Sequence, residues 1–164
     1  MSTQHQPRLD YTRQSPTVFG KYLDFALSIG REGSLDAKLL ILVDIRASQI
    51  NGCAFCVDMH VKQARLQGER ELRLHHVAIW RESPLFDARE RAALAWTEAL
   101  TQIPPTGISD KLYTEVRERF SEKELADLTF AVMAINGWNR ANVAFRTVPG
   151  SMDKAYGLDK AGLA

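Results

Sequence analysis

Apolar residues recur every three or four positions along most of the chain, which is the spacing of one face of an α-helix. In the first such run, Phe19, Tyr22 and Ala26 share a face before Gly30 and Gly33 interrupt the pattern. No segment shows the two-residue alternation expected of a half-buried strand. Helices are predicted over residues 16–29, 36–49, 52–67, 71–80, 89–102, 109–120 and 121–144. The fold class is therefore all-α, a single-domain bundle of about six to eight helices.

Capping residues mark several of the helix starts. Asp87 with Glu90, and Ser121 with Glu124, have the spacing of a capping box, in which two side chains satisfy free backbone N–H groups. Asn51 is the predicted N-cap of the helix that begins at residue 52. Gly137 lies inside the last helix, where glycine costs about 1 kcal/mol relative to alanine, so we expect another element to pack closely there.

Composition favours one soluble globular domain. The chain has 164 residues, 45% of them hydrophobic, and its 21 basic and 20 acidic residues leave a formal net charge of +1. This balance argues against a dedicated nucleic-acid binder. The longest apolar run has six residues, 130–135, whereas a membrane span needs about 20, and the polar start has no secretory pattern. We expect a cytoplasmic protein with a polar arm at 1–15, a helical domain at 16–150 and a tail at 151–164.

The only two cysteines, Cys53 and Cys56, lie three positions apart. A close pair in a cytosolic protein favours redox chemistry or half of a metal site over a structural disulfide framework. On a helix, Cys53, Cys56 and His60 would share one narrow stripe, because each residue advances about 100°. In the first turn, the free N–H groups and the helix dipole would stabilise a thiolate.

This arrangement predicts a thiol peroxidase cycle. The Cys56 thiolate would attack a peroxide oxygen and become a sulfenic acid, while His60 would act as a base or proton relay. Cys53 would then condense with the sulfenic acid to form a disulfide, which an external dithiol must reduce. Two alternatives remain open at this stage. The cysteines and His60 could bind zinc with His75 or His76 as a fourth ligand, or the cysteines could be buried structural residues.

The segment 48–60, SQINGCAFCVDMH, resembles the core of the alkylhydroperoxidase D-like proteins of the carboxymuconolactone decarboxylase superfamily. The resemblance covers roughly residues 15–150 and extends to three further segments, 80–84, 90–94 and 136–140. It implies an all-helical fold, a homo-oligomer that is often a trimer or hexamer, and peroxidase activity on hydroperoxides. By the same comparison, Cys56 is the peroxidatic cysteine, Cys53 is the resolving cysteine and His60 belongs to the proton relay.

The chain departs from the family pattern at two relay positions. The better studied members have a glutamate twelve residues before the first cysteine, where this chain has Ile41, and some have a histidine where it has Phe55. Three other residues are candidates to complete a relay. Asp44 lies one turn after Ile41, Ser48 could hold a relaying water, and Glu82 could supply an acid from another helix.

Outside the motif, polar residues are interpreted as surface or contact groups. The asparagines 139 and 142, on an otherwise apolar helix, suggest a subunit interface. Four basic residues after the motif form a solvated face or a docking patch for an acidic reductant; these are Lys62, Arg65, Arg70 and Arg73.

The hypothesis from sequence is an antioxidant enzyme that reduces alkyl hydroperoxides through a Cys53–Cys56 dithiol–disulfide cycle. It needs no cofactor beyond that disulfide and no metal. The expected partners are the hydroperoxide, an external dithiol and copies of the same chain, without nucleic acid or membrane. The alternatives are a non-enzymatic helical oligomer that uses the motif as a redox sensor or zinc site, and a lactone decarboxylase, whose chemistry does not require paired cysteines.

Overall fold

Helices account for nearly all regular structure in the computed structural model, which describes residues 6–163. Within that range there are nine α-helices, two 3₁₀ turns and no strand. The α-helices are α1 Tyr11–Gln14, α2 Pro16–Glu32, α3 Ala37–Ile50, α4 Ala54–Leu66, α5 Glu71–His76, α6 Ala88–Thr101, α7 Asp110–Arg117, α8 Glu122–Phe145 and α9 Asp153–Tyr156. The 3₁₀ turns are Val77–Ile79 and Leu158–Ala161. The predicted all-α class is confirmed; α1 and α9, with four residues each, bring the number of α-helices above the six to eight expected.

Three helix starts, those of α6, α7 and α8, are capped at the positions where the sequence predicts a start. Asp87 and Glu90 form a capping box at the start of α6, and Ser121 and Glu124 form another at the start of α8. The Ser109 side chain accepts a hydrogen bond from the backbone N–H of Leu112 and so caps α7. These bonds satisfy N–H groups that have no partner inside the helix, which is why the starts were readable from sequence.

Three local predictions are wrong. Helix α2 continues through Gly30 and ends at the Gly33 cap, because a single glycine weakens a packed helix without ending it. The predicted helix 71–80 divides into α5 and the 3₁₀ turn. Asn51 is the C-cap of α3, whereas Cys53 is the N-cap of α4.

Helix α3 lies at the centre and contributes to three apolar clusters. Leu39 and Val43 pack in the first cluster with residues of α6, α7 and α8. Leu42 and Ile45 pack in the second with residues of α4, α5 and α6. Ala47, near the end of α3, belongs to the third cluster, which also contains both cysteines. Because the end of α3 is buried in this third cluster, Cys53 and Cys56, which follow it in the chain, are also buried.

The segment after α8 folds back onto α4. The Lys62 side chain, only 6% exposed, brings its Nζ to 2.9 Å from Asp58 Oδ2 and 2.7 Å from Asp153 Oδ2. Leu158 and Ala161 are buried, and Met152 packs against the cysteine cluster. Much of the expected 151–164 tail therefore covers the motif; residues 1–5 of the expected arm and residue 164 lie outside the described range. No helix in that range is long and apolar enough to cross a bilayer.

Gly137 tests the predicted close packing. A Cβ at this position would lie 1.9 Å from the Tyr22 hydroxyl oxygen, which donates a hydrogen bond to the Ala134 carbonyl at 2.8 Å. We expect Gly137→Ala to lower the free energy of unfolding by about 1–3 kcal/mol, because Tyr22 must move and lose this bond. Urea denaturation measures the change.

The matched control is Gly20→Ala, in the second turn of α2, where a Cβ would meet no atom within 4 Å. The free energy of unfolding of this variant should be about 0.5–1 kcal/mol higher than that of the wild type, since alanine is the better helix former. Equal effects of the two substitutions would contradict the packing argument.

Candidate active site

The turn between α3 and α4 positions the two cysteines. Gly52 adopts a φ of 65°, a conformation that favours glycine, and lets the chain reverse. Cys53 is extended, and its Sγ accepts a hydrogen bond from the Cys56 backbone N–H at 3.3 Å. The two sulfurs form a disulfide, with the Cα atoms 5.3 Å apart, and each cysteine is only 1% exposed. The pair therefore lies at the amino end of α4, inside the protein.

The helical stripe expected for the motif is only partly present. Cys56 and His60 lie one turn apart on α4, and His60 is buried. Cys53 precedes the helix, because its sulfur takes the place of a capping oxygen. The predicted proximity to the helix N-terminus remains, since Cys56 occupies the first turn.

A carboxylate lies next to His60. Its Nδ1 is 2.8 Å from Gln63 Oε1 and 3.6 Å from Asp44 Oδ2, the latter just beyond hydrogen-bond length. Burial raises the pKa of Asp44 from 3.8 to about 6, and the neighbouring His60 opposes part of this rise. The structure thus brings together His60 and one of the three relay candidates.

The other two relay candidates make no hydrogen bond or ion pair with His60 among the described residues. Ser48 is fully buried; its Oγ accepts a hydrogen bond from Asn139 Nδ2 at 2.9 Å, and its carbonyl accepts one from the Cys53 N–H at 3.0 Å. Glu82 is exposed in the loop before α6, and within residues 6–163 no hydrogen bond or ion pair joins it to His60. Their roles in a relay stay predictions, but Ser48 holds the cysteine turn in place.

Buried amide side chains of α8 surround this turn. Asn51 Nδ2 donates to Asn136 Oδ1 at 3.0 Å and to Asn139 Oδ1 at 2.9 Å. One turn after Asn139, Asn142 Nδ2 lies 3.7 Å from Cys56 Sγ. The interpretation of Asn139 and Asn142 as subunit-contact residues is therefore wrong, because both are buried and paired within the chain. The signal that could have identified this network is the three-residue spacing of asparagines on an apolar helix.

The other predicted polar groups have partners of their own. His75 Nε2 is 3.8 Å from Glu71 Oε1, and His76 Nδ1 is 3.0 Å from Ser83 Oγ. Within the described range, no group of three or more histidine, cysteine, aspartate and glutamate side chains could hold a metal ion. The predicted basic patch is incomplete, since Lys62 is buried and Arg73 pairs with Glu69 and Glu90.

The fold and the site together define an all-α protein with a buried, disulfide-bonded CxxC pair at the start of a helix. A family model for the carboxymuconolactone decarboxylase family matches residues 16–99. The chain belongs to this family and is of its alkylhydroperoxidase D-like type.

Relatives with similar sequence or structure agree with this assignment. The Agrobacterium tumefaciens protein ATU0492, a protein of unknown function and candidate AhpD antioxidant defence protein, is 40% identical, with a TM-score of 0.84 over 88% of this chain and 98% of its own. The uncharacterised protein YdfG of Bacillus subtilis is 40% identical over 70% of this chain and 78% of its own length. A peroxidase-related AhpD-core protein of Ralstonia eutropha aligns with a TM-score of 0.75 over 86% of this chain and 75% of its own, but at 17% identity this likeness concerns the fold alone.

Ionisation of Asp44 should oppose folding. Its pKa is raised in the folded state, so between about 4 and about 6 the folded protein binds more protons than the unfolded chain, and stability falls as the pH rises through that window. We expect Asp44→Asn to remove this loss, so that above pH 6 its free energy of unfolding is about 1–3 kcal/mol higher than that of the wild type. Denaturant unfolding at a series of pH values measures the difference.

Asp24→Asn, on the exposed face of α2, is the matched control and should follow the wild-type pH profile. Parallel profiles for wild type and Asp44→Asn would show that Asp44 is not ionising in a buried environment.

Proposed function

We propose that the protein is a thiol-dependent peroxidase that reduces alkyl hydroperoxides, with Cys56 as the peroxidatic and Cys53 as the resolving cysteine. The observation that carries this proposal is the Cys53–Cys56 disulfide at the amino end of α4, with His60 one turn further on. Membership of a family with alkylhydroperoxidase D-like members supports it.

The cycle has three balanced steps. The Cys56 thiolate attacks the terminal peroxide oxygen; the O–O bond breaks, the alkoxide takes a proton and leaves as the alcohol, and Cys56 becomes a sulfenic acid. The Cys53 sulfur then attacks the Cys56 sulfur, and the hydroxyl leaves as water once protonated. An external dithiol donates two electrons to the disulfide and is itself oxidised to a disulfide.

His60 is the group that moves protons in this proposal. Asp44 is negatively charged above pH 6 and lies on the Nδ1 side of the ring, so it favours the tautomer with hydrogen on Nδ1. The other nitrogen, Nε2, is then free to accept a proton from a thiol and return it to the leaving alkoxide. Asp44 thereby takes the part that the glutamate missing at Ile41 would have played, from one turn further along α3.

The surroundings of the sulfurs favour an organic peroxide. Ile135 and the aromatic ring of Phe55 are buried with the cysteines, and Met59, Trp138 and Met152 pack against them. An alkyl substituent would be stabilised against these apolar groups, whereas hydrogen peroxide would gain nothing there. Both cysteines are 1% exposed, so some of the side chains that cover the sulfurs must move before either reactant can enter.

Antioxidant defence is the role that this activity would serve. The reductant is an external dithiol, and a homo-oligomer, trimeric or hexameric, is part of the same proposal.

Peroxide treatment tests the activity directly. We expect one equivalent of cumene hydroperoxide to convert the reduced protein to the Cys53–Cys56 disulfide, which appears in mass spectrometry as the loss of two hydrogens. Cys56→Ser should show no reaction, and Cys53→Ser should stop at a sulfenic acid that a dimedone probe traps. Retention of both thiols in the wild type would contradict the peroxidase and leave the sensor and lactone decarboxylase alternatives.

Replacement of His60 tests the proton relay. We expect His60→Asn to slow oxidation of Cys56 by cumene hydroperoxide about 100-fold, the usual size of a lost general acid–base contribution. His75→Asn is the control, because the His75 side chain is 72% exposed and lies on another helix. Stopped-flow tryptophan fluorescence can follow both variants. A rate for His60→Asn equal to that of His75→Asn would remove His60 from the mechanism.

A further inference from the structure

Asn142 of α8 contacts the sulfur that carries the proposed chemistry. Its Nδ2 lies 3.7 Å from Cys56 Sγ, a hydrogen-bond distance for the large sulfur atom. Asn142 is 6% exposed and Cys56 is 1% exposed, so water does not compete strongly for this contact. Within the described range, Asn142 is the side chain that donates a hydrogen bond to Cys56.

Two further bonds fix the orientation of the Asn142 amide. Nδ2 donates to the Trp138 carbonyl at 3.0 Å, and the Tyr11 hydroxyl donates to Oδ1 at 3.2 Å. A carbonyl oxygen only accepts, so the nitrogen of the amide must face Trp138, and its second hydrogen is left for the sulfur. Burial raises the pKa of Tyr11 above its ordinary value of 10.0, so this hydroxyl keeps the proton that it donates.

The contact stabilises a thiolate much more than it stabilises a neutral sulfur. Hydrogen bonds to a charged acceptor are roughly twice as strong as those between neutral groups. A buried thiolate loses hydration, which by itself raises the thiol pKa. A donor held in place by two other bonds offsets that loss without any reorganisation when the charge forms.

We propose that Asn142 is a catalytic residue that stabilises the Cys56 thiolate, with Tyr11 as a positioning residue behind it. The same bond favours the dithiol over the disulfide, because Cys56 can ionise to a thiolate only in the reduced protein, and the hydrogen bond to a thiolate is stronger than the one to a neutral disulfide sulfur. The use of this residue in turnover rests on the proposed peroxidase function. Its effect on the Cys56 pKa can be measured whether or not the protein is a peroxidase.

The thiol pKa is the direct test. In a Cys53→Ser background, where Cys56 is the only thiol, ultraviolet thiolate absorbance against pH reports the Cys56 pKa. We expect Asn142→Leu, which keeps the branching at Cγ and removes the donor, to raise this pKa by about one unit. Tyr11→Phe should shift it in the same direction by less. Asn142→Ala, which suits a helix, serves as the second donor-free variant should Asn142→Leu fail to fold.

The redox equilibrium provides the second readout. With both cysteines present, Asn142→Leu should move the equilibrium with dithiothreitol about tenfold toward the protein disulfide, which corresponds to about 30 mV. Asn136→Leu is the matched control, since Asn136 is a buried asparagine of the same helix that bonds Thr101 and Asn51 and does not contact the sulfur. It should lower stability without changing the Cys56 pKa.

These results separate the two proposals. A Cys56 pKa in Asn142→Leu and Asn142→Ala that equals that of the Asn136→Leu control would overturn the role of Asn142, even if the wild type reduced cumene hydroperoxide. A raised Cys56 pKa would support the role of Asn142 even if the wild type did not react with cumene hydroperoxide. The missing reaction would then count against the proposed peroxidase function alone.

Discussion

The structure depends on a small set of buried amide and hydroxyl groups that tie the α3–α4 turn to α8. Asn51 uses its side-chain nitrogen for Asn136 and Asn139, and Asn139 in turn donates to Ser48. Apolar contacts tolerate sliding, but buried polar groups must be paired with specific partners, so the two Asn139 bonds, to Asn51 and to Ser48, fix the register of α8 against the turn. That register places Asn142, one turn further along α8, against Cys56.

Burial affects how easily the groups at this site ionise. The apolar cluster around the cysteines disfavours a thiolate, whereas the α4 N-terminus and the Asn142 amide favour it. A helix N-terminus contributes about 0.3–1 kcal/mol, and a hydrogen bond to a charged group about 1.5–3 kcal/mol, so the amide is the larger of these two favourable effects. Burial also raises the pKa of Asp44, whose Oδ2 lies 3.6 Å from His60 Nδ1.

Much of the fold was predictable because its signals are local. The three- and four-residue apolar spacing located the seven longer helices, and the capping boxes at Asp87 and Ser121 placed two starts within a residue. The predictions failed where a distant element decides. Asparagine is a favoured N-cap residue, but the Asn51 side chain donates its hydrogen bonds to α8, and the Cys53 sulfur caps α4 instead. The segment after residue 150 shows no helical periodicity, and distant contacts determine its position: Asp153 pairs with Lys62 of α4, and Leu158 and Ala161 are buried.

The sequence by itself determined the helical class, the pairing of two cysteines at the start of a helix and the placement of His60 one turn later. Each follows from spacing along one element, which needs no knowledge of neighbours. Only the tertiary structure decided that Asp44, rather than Glu82, lies beside His60, and that Asn142 faces Cys56. These contacts join residues of different helices, 16 and 86 positions apart in the chain. Their distances are set by how α3, α4 and α8 pack, and no local pattern encodes that packing.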